Sequence, residues 1–141
     1  MVNLFQDKTK TELNGHLMGL FDFLKKKKIP IDFSDKNVSE LTLKSDLLGQ
    51  ILIDNGLGFY VDHLSQIRLA ADNKDESEFK RLVISRELFG GAGALWEIHI
   101  ENPTEYKKFN KQFTEYVDLL TQMGIKNGRV KQIRKTMPKL N

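Results

Sequence analysis

Few residues in this chain are of a type that does chemistry. Its three histidines, His16, His63 and His99, lie far apart, and no HExxH-like spacing joins them, so no metal site is expected. Cysteine is absent, which removes disulfides, thiolate metal ligands and a cysteine nucleophile. There is no GxSxG run, and Ser34, Ser39, Ser45, Ser65, Ser77 and Ser85 fall at expected helix caps or on helix faces. Asp62 precedes His63, but adjacent helical residues point apart, and Gln66 is the polar neighbour that shares His63's face. Asp72, Asp75, Glu76 and Glu78 cluster at a turn without the EF-hand spacing, so they read as helix capping and solvation. No catalytic residue and no cofactor are expected, and the chain reads as a non-enzyme.

One motif stands apart, the run LFGGAGALWE at residues 88–97. Glycine loops can cradle phosphate, but this one lacks GxxxxGK[ST], is not GxGxxG, and has no lysine or hydroxyl following the glycines. The structural reading is that Gly90, Gly91 and Gly93 permit a tight turn, which Phe89 and Trp96 pin into the core. On that reading Gly91→Val should destabilise the protein. A third reading is recognition, with Trp96, Glu97 and His99 presented to a partner, because tryptophan is enriched at interface hot spots. Asp72, Asp75 and Glu76 are the acidic candidates for the same role, suited to a basic partner.

The elements that must position these residues are helical. Thr9 and Glu12 form a capping box for a helix over residues 10–27, and Leu13, Leu17, Leu20 and Leu24 make its apolar stripe, widened by Phe21. Pro30 stops it. A second helix begins near Asn37, capped by that residue with Glu40, and buries Leu41, Leu47, Leu48, Ile51 and Leu52 until Asn55-Gly56 ends it. A third spans residues 59–71 with Tyr60, Leu64, Ile67 and Ala71 on one face; a fourth is short, opened by Asp75 with Glu78, and holds Phe79, Leu82 and Val83 inside. Residues 95–100 fit either a strand or a helical turn. The fifth helix has Asn102 as cap, Pro103 at its first position and Glu105 closing the box, and carries Tyr106, Phe109, Phe113, Val117 and Leu120 to Met123. A last helix fits residues 129–137. The expectation is a compact all-α, single-domain bundle of five to six helices over residues 1–141, with a glycine-rich loop and room for one short extended segment.

Length and composition agree. The chain has 141 residues, 40% hydrophobic and 29% charged, enough for one core. No basic n-region or long apolar window marks a signal peptide or membrane span, so a cytoplasmic protein without membrane contact is expected. The net charge of +3 is uneven: after Asp118 come Lys126, Arg129, Lys131, Arg134, Lys135 and Lys139 with no acid, leaving 16 basic against 19 acidic residues elsewhere. This basic segment, residues 124–141, and the lysines at 25–28 are the features a nucleic-acid-binding module would use. Neither interleaves the aromatics that stack on bases.

The run LFGGAGALWE is similar to the LFGGMGSxND-type signature of a family of small bacterial proteins of unknown function. The resemblance rests on Leu88, Phe89, Gly90, Gly91 and Gly93, and the order of elements extends it over about residues 47–123. Ala92, Ala94, Trp96 and Glu97 stand where the family has Met, Ser, Asn and Asp, so no active residue carries over. The resemblance implies a bacterial origin and a small helical fold. By analogy with immunity proteins, it implies a protein partner, such as a cognate toxin. Apolar surface on the Phe-rich fifth helix also allows a homodimer.

Overall fold

A computed structural model describes residues 29–137. The expected first helix over residues 10–27, His16, the lysines at 25–28 and Lys139 lie outside the described residues. Six α-helices follow: α1 (Asp35–Asp54), α2 (Val61–Asp72), α3 (Glu76–Val83), α4 (Arg86–Phe89), α5 (Pro103–Met123) and α6 (Gly128–Thr136). Single 3₁₀ turns at Gly58–Tyr60 and Leu95–Glu97 complete the order. The described residues contain no strand and form a compact all-α fold. The segment at 95–100, open between strand and turn in the sequence, is a 3₁₀ turn followed by extended chain.

The cap chemistry explains most boundaries. Asn102 accepts from the Glu105 backbone N–H at 3.0 Å, Pro103 follows, and Gly124 ends α5 at φ +122°. Asp75 opens α3 by accepting from Glu78 N–H at 3.1 Å. Asn127 opens α6 by accepting from the N–H groups of Arg129 and Val130. The start of α1 differs from expectation. Ser34 is its cap, accepting from Asn37 N–H at 3.4 Å, and Asp32 in turn holds Ser34 N–H at 2.9 Å. Asn37 is instead buried in the first turn, donating to Asp32 O at 3.0 Å and accepting from Gln122 Nε2 at 3.2 Å. The Asp-x-Ser pair upstream supplies the capping oxygens, which frees Asn37 to tie α1 to α5.

α1 and α5 run antiparallel and form the spine. Asp32 N–H reaches Met123 O at 2.7 Å at one end, Lys44 pairs with Glu115 at 3.2 Å midway, and Asn55 reaches Glu105 at 3.1 Å at the other end. Burial of Leu41, Ser45, Leu48 and Leu52 sets the rotational phase of α1. Leu47, one position from Leu48, is turned about 100° away and is largely exposed, against the expectation that it faces inward. Phe109 and Phe113 stack at 5.6 Å inside the core, and Phe89 meets Phe113 at 6.1 Å. The aromatics of α5 are thus satisfied within the chain, and the apolar surface behind the homodimer expectation is not on this helix.

Candidate functional site

The glycine loop joins α4 to the second 3₁₀ turn, and its carbonyls are gathered by donors from three other places in the fold. Trp96 Nε1 donates to Gly90 O at 2.7 Å. Arg129 on α6 donates to Phe89 O at 2.7 Å and to Gly90 O at 3.1 Å. The Tyr60 hydroxyl, at the start of α2, donates to Gly93 O. A phosphate cradle needs converging N–H groups, whereas this loop directs carbonyl oxygens toward cationic and neutral donors. The three glycines are not equivalent. A Cβ on Gly90 would sit 2.6 Å from Arg86 O and 2.8 Å from Arg86 Cα, and Gly93 has φ +86°. Around Gly91 there is open space and no left-handed backbone, so the expectation that Gly91→Val destabilises is corrected: Gly90 and Gly93 carry the constraint.

The other loop candidates divide. Trp96 is half-buried with its indole N–H committed to Gly90. Glu97 and His99 are exposed, and the His99 ring stands edge-on to Tyr106 at 4.7 Å. Among the acidic candidates, Asp75 caps α3, while Glu76 pairs with Lys80 at 2.7 Å and accepts from Ile31 N–H at 3.3 Å. Asp72 is exposed at the end of α2. No group of three or more His, Asp or Glu side chains among the described residues is placed to hold a metal ion.

His63 has a different partner from the one expected. Gln66 donates to Asp62 at 2.8 Å, and His63 reaches across to the α3–α4 turn. Its Nε2 lies 2.8 Å from Leu82 O and 2.9 Å from Ser85 Oγ, and Ser85 Oγ donates to Leu82 O at 2.6 Å. Glu87 is nearby, its carboxyl held below the usual range first by its own backbone N–H and then by the Ser85 hydroxyl, with His63 adding to the effect. The residue types resemble a Ser-His-Glu triad, but the proton positions do not. A carbonyl only accepts, so the contact with Leu82 O places the proton on Nε2, the nitrogen that would have to take the serine proton. The cluster clamps the α3–α4 turn onto α2. Sequence reasoning missed it because residues 63 and 85 approach only through tertiary packing.

The basic candidates also separate. Arg129 serves the glycine loop, and Arg134 makes a forked pair with Asp118 at 2.8 and 3.2 Å. Lys126, Lys131 and Lys135 stand exposed along a groove of about 640 Å³ between α5 and α6, with Thr121, Ile125 and Val130 in its lining.

An apolar feature that sequence reasoning did not single out lies on the opposite kind of surface. Phe59 is 71% exposed, Leu69 59% and Ile53 54%. Phe59, Asp62, Gln66 and Leu69 follow one another at helical spacing on the side of α2 away from Leu64, Ile67 and Ala71, which are buried. Ile53 adjoins this ridge through Gly58, whose Cβ position lies 3.5 Å from Ile53 Cγ1. Exposed Asp54, Asp62 and Asp72 border it, and a cleft of about 230 Å³ lined by Asp46, Gly49, Val61, Ser65 and Arg68 runs alongside between α1 and α2. A Cβ on Gly49 would lie at ordinary van der Waals distance, 3.6 Å, from Val61 Cγ2. The signal was present in the sequence: Leu69 is out of phase with the buried face of its own helix.

No protein-family model, no curated protein and no solved structure matches this chain. No helix of the described residues is long and apolar enough to cross a membrane.

Proposed function

We propose that the chain is a non-catalytic binding protein of the bacterial immunity or antitoxin type, which holds a basic toxin against the outer ridge of α2 in the cytoplasm. The observation that carries this reading is the exposure of three large apolar side chains, Ile53 at the end of α1 and Phe59 and Leu69 along the outer side of α2, with Asp54, Asp62 and Asp72 exposed in the same segments. Exposed large apolar side chains interspersed with charge are common in protein interfaces, where an aromatic serves as an anchor and the charges select the partner's sign. An acidic rim favours a basic partner and raises the rate of encounter with it. The glycine loop contributes by holding the first turn of α2, since Tyr60 bonds Gly93 O while its neighbour Phe59 points outward. Among the described residues the nucleic-acid alternative draws on Lys126, Lys131 and Lys135, because Arg129 and Arg134 are engaged within the fold.

The test is capture of a binding partner at moderate salt after nuclease treatment, with mass-spectrometric readout, using the wild-type chain, a Phe59→Asp/Leu69→Asp variant and a Lys131→Glu/Lys135→Glu variant. The expected result is one stoichiometric basic protein, retained by the lysine variant and lost by the ridge variant. Its capture should change little with salt, because an apolar interface core releases few counterions. Loss with the lysine variant and steep salt dependence would overturn the reading in favour of nucleic acid.

A further inference from the structure

The ridge on α2 leaves a second apolar pair unused. Leu43 and Leu47 lie one turn apart on the side of α1 opposite Leu41, Leu48 and Leu52, and they are 58% and 44% exposed. They are the centre of a longer stripe. Lys36, Glu40, Leu43, Leu47, Gln50 and Asp54 follow one another in alternating steps of four and three residues, the spacing of a coiled-coil seam. Lys36, Gln50 and Asp54 are exposed as well, and Glu40 is half-buried. We propose that this stripe is the contact between two copies of the chain, packed as an antiparallel α1–α1 pair about a two-fold axis level with Ser45. This inference stands apart from the toxin-binding reading, because it needs no other protein and uses none of the α2 ridge.

The stripe is complementary to its own reverse, and that singles out a second copy as the occupant. In an isologous contact each residue meets the one at the same distance on the other side of the axis. About Ser45 this sets Leu43 against Leu47 of the second copy, Glu40 against Gln50, and Lys36 against Asp54. Four leucine side chains close over one another at the centre, and an opposite-charge pair falls at each end. Gln50 Nε2 already donates to the Asp54 carboxylate at 2.8 Å, on the same side of the helix. The last turn of α1 carries no basic residue of its own, so the Lys36 of the second copy arrives where the helix dipole favours a cation. Parallel pairing would instead set Lys36 on Lys36 and Asp54 on Asp54, like charge on like. A two-fold contact through the α5–α6 groove would bring Lys126, Lys131 and Lys135 against the same lysines. The seam runs from residue 36 to residue 54, about 27 Å of helix. One helix pair is a small interface beside the roughly 1,200 Å² of stable complexes, so the dimer forms in a concentration-dependent way.

Sedimentation equilibrium of the purified full-length chain tests this. The mass should rise from that of one chain toward that of two between about 1 µM and about 1 mM. Leu43→Glu/Leu47→Glu should stay at the mass of one chain throughout, with an unchanged melting temperature at the lowest concentration, because both side chains are exposed. Lys36→Asp should weaken association several-fold, and Lys36→Asp/Asp54→Lys should restore it. Phe59→Asp/Leu69→Asp should associate as the wild type does, which separates this contact from the ridge. Orientation is read by cross-linking, since the chain has no native cysteine. Leu43→Cys mixed with Leu47→Cys should form a disulfide-linked pair under mild oxidation several-fold faster than either variant alone, because a disulfide forms only when the Cα atoms come within about 7 Å. Three results would each overturn the proposal: a single-chain mass at every concentration, association that survives Leu43→Glu/Leu47→Glu, or cross-linking of each cysteine variant only to itself.

Discussion

The glycine loop and the outer ridge of α2 are opposites. The loop has the most distinctive sequence in the chain, yet its carbonyls at Phe89, Gly90 and Gly93 are bonded by Arg129, Trp96 and Tyr60. The ridge has an ordinary sequence, yet it leaves Phe59 and Leu69 uncovered. Unusual residues mark places where the backbone is constrained, and that constraint can be wholly internal. Binding capacity is read from what the fold leaves unsatisfied, which here is apolar surface. The two regions are connected, because Tyr60 belongs to the loop's bonding network and Phe59, its neighbour, to the ridge.

Substitutions in the loop should therefore act on stability, and substitutions on the ridge on binding alone. The largest effect is expected for Gly90→Val. Its Cβ would meet the backbone of Arg86 rather than a yielding side chain, costing about 3 kcal/mol and lowering the melting temperature by on the order of 10 °C. Gly91→Val, with open space around it, should leave the melting temperature within about 2 °C of wild type. Equal losses at the two positions would mean that the loop is not built as described. Next in size are Trp96→Phe and Arg129→Met, each of which strips a donor from the loop carbonyls at a cost of about 1–2 kcal/mol, measurable by urea denaturation. Their effects should be non-additive, since both side chains serve Gly90 O.

A smaller effect is expected from pH. Lys111 bonds Glu115 and holds its carboxyl below the usual carboxylate range, with Lys44 adding to this and partial burial opposing it. A lowered folded pKa contributes stability that is fully present above the unfolded carboxylate pKa and is lost as pH falls through the folded value. The urea midpoint should accordingly decline as pH drops below about 4.5. Glu115→Gln should flatten that decline, and an unchanged pH profile in this variant would remove the Lys44–Glu115 tie from the account. The smallest stability effect belongs to Phe59→Asp/Leu69→Asp, expected within about 0.5 kcal/mol of wild type because both side chains are solvated already.

Much of the fold was legible because its signals are local. The Asn102-Pro103-Glu105 start of α5, its Gly124 end, and the Asp75 cap of α3 each involve residues within one turn of each other. The all-α class followed from such pieces. What escaped was set by packing between distant segments. Asn37 looked like a cap until Ser34 and Asp32 were seen to do that work, and Leu47 looked buried until Leu48 fixed the phase of α1. The same holds for the candidate site. Arg129 and Arg134 belonged with the other basic residues in sequence, but their guanidinium groups are directed to Phe89 O and Asp118 by contacts 40 and 16 residues away. The exposed Phe59 and Leu69 could have been found by their spacing with Asp62 and Gln66, out of phase with the buried Leu64, Ile67 and Ala71.

The most direct test of the central claim is the affinity of the captured partner for three purified proteins, wild type, Phe59→Asp/Leu69→Asp and Trp96→Phe, measured by titration calorimetry at matched salt. The account predicts that the ridge variant keeps its wild-type melting temperature and loses binding by at least about a hundredfold, as removal of hot-spot anchors does. It predicts that Trp96→Phe lowers the melting temperature and keeps the affinity. Unchanged binding by the ridge variant, together with loss of binding by a still-folded Trp96→Phe, would place the interface on the glycine loop and contradict the account.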